Sequence, residues 1–462
     1  MIMKIKRLFI QGILFSAFAF AAHAQEKGWQ PLFNGKDLTG WKRIAGGAVF
    51  TVEDGVIVGR TVAKSHNSFL VTEKEYGDFI LEADVYVEDE EGNSGIQTRS
   101  HLNPAGYNGE GRVYGRQCEI DPTPRRWTGG IYDEGRREWL YPMQLNQAAQ
   151  NAYKRNVYNH FRVECIGNEM RTWVNGIATA YVVDTLDAKG FIGLQVHEIY
   201  SADHVGKKVC FKNIRIKTTG LKPMAFAPNV YVVNLLPNQL NTYEKNNGWR
   251  LLFDGKTNKG WRSAKASAFP GKGWVIKDGT IAVIDGKGEE STNGGDIVTN
   301  DQFGAFDLSF EFKLTAGANS GVKYFVTLAE DSKGSAIGLE YQVLDDTLHP
   351  DAKLGRDGNR TLASLYDLIK AEKQKRFLRP VGQWNVGRII VYPNSKVEHY
   401  LNGVKVLEYI RGSKQYKDLV AISKYSAWKN FGEAPAGYIL LQDHGYEVAY
   451  RSIKVKDLKW CF

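Results

Sequence analysis

Short runs rich in alternating apolar and polar residues cover most of the chain. Residues 79–87 (FILEADVYV) and 211–217 (FKNIRIK) alternate, and 161–167 and 388–393 are similar short runs. Turn sequences such as VNG, LNG, EDG and KDG separate them. Alternation bounded by such turns is typical of β-strands in hairpins, and no long 3.6-residue period competes with it. The pattern predicts an all-β protein.

The second half of the chain repeats the first. GWQPLFNGKDLTGWK at 28–42 returns as GWRLLFDGKTNKGWR at 248–262, and later matches such as NSGIQ at 93–97 with NSGVK at 319–323 keep the same order. The interval far exceeds the roughly 20 to 50 residues of a solenoid repeat, so these are two copies of a whole domain. The many short strands in each copy favour a two-sheet sandwich of jelly-roll type. The predicted boundaries are a signal peptide at 1–24, a first domain at 25–218, a linker at 219–246 and a second domain at 247–462.

The first residues have the pattern of an export signal. A basic start at 4–7 precedes an apolar stretch at 8–22 and a small-residue end, AHA, at 22–24. The stretch is shorter than the roughly 20 residues of a membrane span, so we expect cleavage rather than anchoring. This predicts a periplasmic or secreted protein with no membrane span after signal removal.

Charge and cysteine content narrow the function further. Lys and Arg number 60 against 51 Asp and Glu, but they are scattered except in AEKQKRFLRP at 371–380, which we interpret as a solvated loop. The sequence therefore predicts no nucleic-acid partner. Cys118, Cys165 and Cys210 align with apolar residues of the second copy, which favours buried free thiols over disulfides.

One predicted strand in each copy carries paired polar residues. Alternation places Gln117, Glu119 and Asp121 on one face of their strand, with Cys118 and Ile120 facing the core. In the second copy Glu340 stands where Gln117 does and Gln342 where Glu119 does. We interpret this face as a sugar-facing cleft. The alternative is a polar strand face exposed to solvent.

Two further segments carry candidate chemistry. Asp133 recurs as Asp367, whereas the adjacent Glu134 becomes a leucine, so the recurring Asp is the stronger catalytic candidate unless it only caps a turn. Gln195 and His197 recur as Gln442 and His444, and an imidazole can give or take a proton near neutral pH. The repeated Asn-Ser-Gly at 93–95 and 319–321 is interpreted as a tight turn that requires glycine.

The motifs together resemble a known family. GW..LFNGKDL.GW, NSGI, EIDPT, GGIYDEG, LNG and LQ.H, as they stand here, are similar to those of the 3-keto-disaccharide hydrolases. The resemblance covers nearly all of the chain after the signal, once per copy. It implies two tandem concanavalin A-like jelly-roll sandwiches and cleavage of glycosides whose glucose is oxidised at C3.

The chemistry that the resemblance implies needs one base, one acid and one group at the carbonyl oxygen. A ketone at C3 acidifies the hydrogen at C2, so its removal lets the aglycone leave from C1. Glu119 or Asp121 is expected as base, His197 as acid, and Arg116 or Arg99 at the carbonyl. Asp133 is a further catalytic candidate, and the expected catalytic counterparts in the second copy are Glu340, Asp367 and His444. The other substrate-binding candidates are Gln117, Trp127, Glu134, Gln195, Gln342 and Gln442.

The expected ligand is a small-molecule glycoside, and no cofactor is predicted. A divalent metal would do the arginine's task, but neither copy has an HxH or HExxH spacing. We expect the first copy to be the active one because its acidic candidates and His197 occur together. Two alternatives stay open: a non-catalytic carbohydrate-binding protein, and a conventional β-glucan hydrolase.

Overall fold

The computed structural model describes residues 27–289, 294–328 and 336–458. The predicted signal peptide at 1–24 and Cys461 lie outside the described residues. The strands of the first copy are β1 (Trp29–Pro31), β2 (Trp41–Ile44), β3 (Val49–Glu53), β4 (Val56–Arg60), β5 (Ser68–Thr72), β6 (Phe79–Val87), β7 (Ser94–Asn103), β8 (Arg112–Ile120), β9 (Ile131–Glu134), β10 (Glu138–Tyr141), β11 (Asn159–Ile166), β12 (Glu169–Val174), β13 (Ile177–Val183), β14 (Phe191–Val196) and β15 (Lys208–Lys217).

The linker contributes β16 (Val233–Asn234) and α1 (Thr242–Asn246). The second copy contains β17 (Trp249–Leu251), β18 (Trp261–Ser263), β19 (Trp274–Lys277), β20 (Thr280–Val283), β21 (Ile297–Phe303), β22 (Phe306–Leu314), β23 (Asn319–Leu328), β24 (Ala336–Leu344), β25 (Trp384–Val391), β26 (Lys396–Leu401), β27 (Val404–Ile410), α2 (Lys414–Ala421), β28 (Gly437–Leu441) and β29 (Val448–Asp457). Short 3-10 segments lie at Tyr107–Gly109, Met143–Ala149, Ala202–His204, Pro350–Lys353 and Lys375–Phe377.

Two sheets form each copy, and their strands pair antiparallel except where β16 meets β13. Among the described residues, the first copy has one sheet in the order β16-β13-β12-β11-β6-β15-β4-β3, with β1 beside β15, and a second in the order β10-β9-β8-β7-β14-β5-β2. The second copy has β19-β20-β29-β22-β25-β26-β27, with β17 beside β29, and β18-β21-β28-β23-β24. The prediction of an all-β protein with two tandem sandwiches is confirmed.

Each sandwich holds its own apolar core between its sheets. In the first copy Leu81 of β6 and Ile96 of β7, which belong to different sheets, lie in one buried cluster. Leu308 of β22 and Val322 of β23 do the same in the second. Burial of these faces is the main stabilising contribution, and it leaves the opposite strand faces for polar side chains. Cys118, Cys165 and Cys210 are buried and free.

The linker and two loops connect the copies. The linker strand β16 pairs in parallel with β13. Glu244 of α1 forms a buried ion pair with Lys454 of β29, with 2.6 Å between Oε1 and Nζ. In the 3-10 segment Met143–Ala149 of the first copy, the side chain of Gln144 accepts a hydrogen bond from the backbone N–H of Lys405. The copies are thus joined by hydrogen bonds and ion pairs as well as by the chain.

The interpretation of residues 371–380 as a solvated loop is wrong for part of that segment. Arg376 lies 3.7 Å from Glu138 of the first copy, and Phe377 packs against Trp127 with 5.7 Å between ring centroids. Lys375, the residue before these contacts, stays exposed. Separately, none of the helices in the described part of the chain combines the length and apolar character that crossing a bilayer requires.

Candidate active site in the first sandwich

The candidate site lies on the seven-stranded sheet of the first copy, on the face turned away from its core. In β8, Cys118 and Ile120 are completely buried in the core, as the alternation predicts, and Gln117 and Glu119 point the other way. Glu119 is only 4% exposed, so the carboxylate sits at the bottom of a recess.

Three groups hold the carboxylate of Glu119. The side-chain amide of Asn93 donates to Oε1 at 2.7 Å, and that of Gln117 donates to Oε2 at 3.0 Å. Gln97 in turn donates to the oxygen of Gln117 at 2.8 Å, which fixes the orientation of that amide. A guanidinium nitrogen of Arg125 lies 4.0 Å from Oε1. Burial raises the pKa of Glu119, while the amides and Arg125 oppose that rise by favouring the anion.

The Asn-Ser-Gly segment serves this carboxylate and is not a tight turn. Ser94 and Gly95 belong to β7, where Gly95 faces Glu119 across the ladder. A Cβ on Gly95 would lie 2.1 Å from Cδ of Gln117, because the Gln117 side chain crosses over this position. The interpretation of a turn that needs a left-handed glycine is therefore wrong. Glycine is required here to make room for a neighbouring side chain.

Glu134 is the second carboxylate of the site. It ends β9 opposite Gly115 of β8, on the same sheet face as Gln117 and Glu119. It is 8% exposed, and burial together with the nearby charge of Glu119 raises its pKa to about 7. Arg112 and a hydrogen bond with Asn67 act in the opposite direction. The recess therefore holds two carboxyl groups with different environments.

The rim of the recess is aromatic and charged. Tyr107 stacks on His66 with 3.8 Å between ring centroids. The phenol of Tyr200 donates to Glu198 at 2.7 Å, and the charges of Glu134 and Glu198 both act on the pKa of Tyr107, which burial raises. Tyr107 and Glu198 thus lie within electrostatic range of Glu134.

Asp121 holds a turn rather than reaching the recess. Its Oδ1 accepts hydrogen bonds from the backbone N–H and hydroxyl of Thr123, and its Oδ2 accepts one from Nε of Arg125 at 2.7 Å. The expected role of Asp121 as base is therefore withdrawn. Trp127 is 4% exposed and lies beneath the guanidinium of Arg125 at 4.7 Å, so it supports that cation instead of presenting a face to sugar.

Asp133 faces the opposite side of the sheet from Glu119. Its carboxylate is fully buried and pairs with Arg136 and Arg137. Asp367, its counterpart, is also bound, to Nε of Arg360 at 2.7 Å and to the backbone N–H of Lys424. The recurring Asp thus has a structural role in both copies, and the adjacent Glu134 is the residue that shares the recess.

Arg99 and Arg116 lie away from the recess and are almost fully buried. Arg99 donates to the carbonyl oxygens of Gly77 and Gly167, and Arg116 to those of Leu186 and Asp187. Neither is placed to contact a substrate carbonyl, so we withdraw those expected roles. Arg125, whose side chain is 35% exposed, is the arginine beside Glu119.

Gln195 lies at the end of β14 next to the recess, and His197 follows the strand. The Gln195 side chain is completely buried, and neither its Oε1 nor its Nε2 has a hydrogen-bond partner in the described part of the chain. Such an orphaned amide is costly unless a ligand or water satisfies it. The imidazole of His197 donates from Nδ1 to the carbonyl oxygen of Glu198 at 2.7 Å. His197 therefore lies at the edge of the site, and its contacts do not include Glu119.

The equivalent recess of the second copy has different charges. Glu340 is buried on β24 opposite Lys323 of β23. Burial raises the pKa of Glu340, and Lys323 and Lys424 oppose the rise. The amide nitrogen of Gln342 points toward Glu340 and donates to its Oε1 at 3.2 Å. Leu368, which replaces Glu134, is buried in the core, so the second carboxyl group is missing here.

An insertion between β27 and β28 also closes over the second recess. It contains α2 and delivers Lys424 and Tyr425, whose pKa values respond to the charge of Glu340. Gln442 is buried with its Oε1 unpartnered within the described residues, as in Gln195. His444 lies beside the ring of His349 at 6.2 Å. The second copy therefore keeps the framework of the recess but fills it.

Within residues 27–289, 294–328 and 336–458, no three His, Cys, Asp or Glu side chains are arranged to hold a metal ion. Sequence reasoning missed Asn67 and Asn93 as parts of the site, whereas it counted Arg125 among the arginines of the expected cleft. Asn93 lay in a motif that recurs in both copies, and that recurrence was the available signal. Asn67 comes from a distant part of the chain, so only the fold brings it to Glu134.

Comparison with known proteins decides the family. The model of the "3-keto-alpha-glucoside-1,2-lyase-like domain" family matches residues 28–217 and again 248–456. The chain belongs to this family. A relative from Bacteroides thetaiotaomicron named 3-keto-disaccharide hydrolase is 40% identical over 232 residues, which span 46% of this chain and 79% of the relative. The predicted resemblance and the prediction of a glycoside-cleaving enzyme are confirmed for this family member.

Solved structures also resemble this family member. A glycosyl hydrolase from Parabacteroides distasonis is 30% identical and covers 48% of this chain and 100% of its own, with a TM-score of 0.42. A carbohydrate-binding module from Bacillus subtilis is 17% identical and covers 38% of this chain and 95% of its own, with a TM-score of 0.27.

Proposed function

We propose that the first copy cleaves 3-keto-glycosides by elimination followed by addition of water. The observation that carries this proposal is the pair of buried carboxyl groups, Glu119 and Glu134, on one face of the sheet. Burial raises the pKa of Glu119 while two side-chain amides favour its anion, and Glu134 has a pKa of about 7. The name of the relative from Bacteroides thetaiotaomicron supports the same substrate class.

Glu119 acts as the base and Glu134 as the acid. The hydrogen bonds from Asn93 and Gln117 and the proximity of Arg125 favour the ionised form of Glu119, which can accept the proton from C2. Glu134 keeps its proton up to about pH 7 and can give it to the departing oxygen at C1. The two carboxyl groups differ in their hydrogen-bond partners, and the proposal divides the two proton transfers between them on that basis.

Charge that develops on the oxygen at C3 needs a donor. The guanidinium of Arg125 lies beside Glu119, and its position is fixed by its bond to Asp121 and by the Trp127 ring beneath it. The orphaned amide of Gln195 offers a further N–H donor on the same sheet. Such fixed donors stabilise an enediolate more than the ketone, which lowers the barrier.

The proposed reaction balances as hydrolysis. Removal of the C2 proton and departure of the aglycone from C1 break the C2–H and C1–O bonds and form a C1–C2 double bond conjugated with the ketone. Water then adds its oxygen to C1 and a proton to C2. The products are the free 3-keto sugar and the aglycone with its proton, and no oxidant or reductant is consumed.

We propose further that the first copy alone turns over substrate. We also propose that the protein acts outside the cytoplasm. The second recess lacks a counterpart of Glu134, and Lys424 and Tyr425 lie close to Glu340. The amino-terminal pattern supports export to the periplasm or beyond. If the second copy binds sugar at all, it does so without the acid that the first copy supplies.

The proposal is tested by measuring aglycone release from a 3-keto-glucoside and from its unoxidised parent. The full chain is expected to cleave only the oxidised substrate, and Glu119→Gln to lose about 10²-fold or more of the rate because the base is removed. Glu75→Gln, an exposed carboxylate elsewhere in the first copy, is the control and should keep the rate. Glu340→Gln should also keep it. Equal cleavage of the parent, or full activity of Glu119→Gln, would overturn the proposal.

A further inference from the structure

A loop of the second copy lies against the mouth of the first copy's recess. Its 3-10 turn, Lys375–Phe377, brings Arg376 to 3.7 Å from Glu138 and Phe377 into the apolar cluster around Trp127. The carbonyl oxygen of Phe377 accepts a hydrogen bond from the Asn402 side chain at 2.8 Å, which ties the turn to its own domain. The turn is thus held from both sides.

The Arg376 guanidinium lies near two phenols of the recess. Burial raises the pKa of Tyr132 to about 12, and the charges of Glu134 and Glu138 add to this rise. The charge of Arg376 opposes it. The same charge also lowers the pKa of Tyr200, which is raised to about 12 chiefly by the hydrogen bond to Glu198. Tyr132 stands opposite Gln117 in the sheet. Arg376 therefore lies near the mouth of the recess, close enough for its charge to act on both Tyr132 and Tyr200.

A continuous aromatic wall joins the loop to the catalytic carboxylate. Phe377 contacts Trp127, Trp127 meets Trp139 edge to face at 4.6 Å, and Trp139 meets Tyr132 at 5.2 Å. Arg125 lies over both tryptophans and reaches to 4.0 Å from Glu119. A groove of about 700 Å³ lies at the outer end of this wall, where Trp139 and Phe377 line it together with Glu138, Arg376, Arg379 and Trp384.

Arg376 keeps donor capacity for a ligand. Its side chain is 48% exposed, and Glu138, at 3.7 Å and 54% exposed, is too distant for a hydrogen bond. An exposed pair of this kind contributes little to stability. Arg376 lines the groove and a guanidinium has five N–H donors, so donors are available there for hydroxyl oxygens.

Among the described residues, no such wall of the first copy reaches the second recess. The corresponding loop of the first copy, which contains Met143–Ala149, contacts the second copy in turn. Its Gln144 hydrogen-bonds to Lys405, and its Gln147 to Tyr400. Those partners belong to β27 and β26 of the other sheet, not to the sheet that carries Glu340. In the part of the chain that the structure describes, the two loops therefore differ, and the loop of the second copy adds a surface to the first site.

We propose that Arg376 and Phe377 of the second copy form the leaving-group subsite of the first. Arg376 donates hydrogen bonds to hydroxyls of a leaving sugar, and Phe377 supports the wall that positions Arg125. The inference rests on the proposed function, since it names where the aglycone lies. It gives the second copy a role in substrate selection without requiring turnover there.

The test compares two substrates on the full chain. One is a 3-keto-disaccharide with a sugar leaving group, and the other a methyl 3-keto-glucoside. Arg376→Ala is expected to raise KM for the disaccharide about tenfold, the effect of losing a hydrogen bond to a charged group, with kcat little changed. The methyl glycoside should be unaffected, and Lys375→Ala, an exposed cation in the same turn, should change neither. Equal effects on both substrates, or none, would overturn the inference.

A binding measurement separates this inference from the proposed function. Calorimetric titration of the 3-keto-disaccharide into Glu119→Gln protein is compared with the same protein also carrying Arg376→Ala. About tenfold weaker binding by the second protein supports the subsite even where the wild-type chain shows no turnover. Equal binding by both, or no binding by either, contradicts it. Thermal unfolding of each variant checks that the fold is kept.

Discussion

At the scale of single residues, the site depends on the different burial and hydrogen-bond partners of its two carboxyl groups. Glu119 is surrounded by donors, whereas Glu134 has one amide neighbour and the charge of Glu119 close by. Sequence alternation identified Glu119 and its face, since strand period fixes orientation. It favoured Asp133 over Glu134 because Asp133 recurs, and that recurrence marks a shared ion pair with arginines.

The acid role of Glu134 is tested by changing the leaving group. Glu134→Gln is expected to lose about 10²-fold to 10⁴-fold of the rate with a sugar leaving group, because the departing oxygen needs a proton. With a nitrophenyl leaving group, which departs as an anion, the loss should be much smaller. Initial rates with both substrates measure this. The same loss with both would show that Glu134 has another task.

Glu134 should also link stability to pH. Its carboxyl stays protonated to a higher pH in the folded protein than in the unfolded chain, because its pKa rises from 4.5 to about 7 on folding. The folded state therefore holds the proton more tightly, so this stability is fully present below about pH 4.5 and is lost as pH rises to about 7. The loss is on the order of 3 kcal/mol at most.

Urea unfolding followed by tryptophan fluorescence measures this link. Between pH 4.5 and 7.5, the free energy of unfolding of wild type is expected to fall relative to that of Glu134→Gln by up to about 3 kcal/mol. Parallel pH dependence of the two proteins would mean that Glu134 is not buried as an acid. Glu75→Gln again serves as the exposed control.

At the scale of elements, the neighbouring strands β7 and β8 shape the site by close packing. Gly95 leaves the space in which the Gln117 side chain crosses β7 and reaches Glu119. The sequence showed the repeated phrase in both copies but not the reason, because the pairing register of β7 with β8 is a long-range property. The corresponding Gly321 makes room for Glu340 in the same way, since a Cβ there would lie only 2.3 Å from its Oε1.

Gly95→Ala tests this packing. The added methyl must displace Gln117, which breaks its bonds to Glu119 and Gln97, so a loss of about 1 to 3 kcal/mol of stability and a fall in kcat are expected. Gly77→Ala is the matched control, because its Cβ would meet only an oxygen at 3.6 Å. Chemical unfolding and kinetics of both variants measure the difference. Equal effects of the two substitutions would contradict the account.

At the scale of the whole molecule, the repeat predicts the tandem arrangement. It does not predict that a loop of the second copy contacts the first. The repeat and its apolar alternation specify two sandwiches, because each copy has its own core. The contact of Arg376 and Phe377 with the first copy depends on how the sandwiches pack, and no local pattern encodes that. The basic run therefore looked like an ordinary solvated loop.

The buried pair of Glu244 and Lys454 tests how firmly the linker is fixed. Glu244→Gln leaves the Lys454 ammonium buried without its carboxylate, so a loss of about 3 kcal/mol is expected. Asp418→Asn removes the partner of Lys414 in an exposed pair and should cost about 1 kcal/mol or less. Urea unfolding compares the two. A small effect of Glu244→Gln would show that the linker contributes little to the assembly.

The most direct test of the proposed reaction is the isotope effect at C2. Cleavage of a 3-keto-disaccharide is followed with hydrogen and with deuterium at C2, using the full chain. Because the proposed base removes this atom, we expect deuterium to slow the reaction at least about twofold and an intermediate with a C1–C2 double bond to be trapped. Release of the leaving sugar at the same rate from both substrates, with hydrogen at C2 fully retained in the product, would contradict the account.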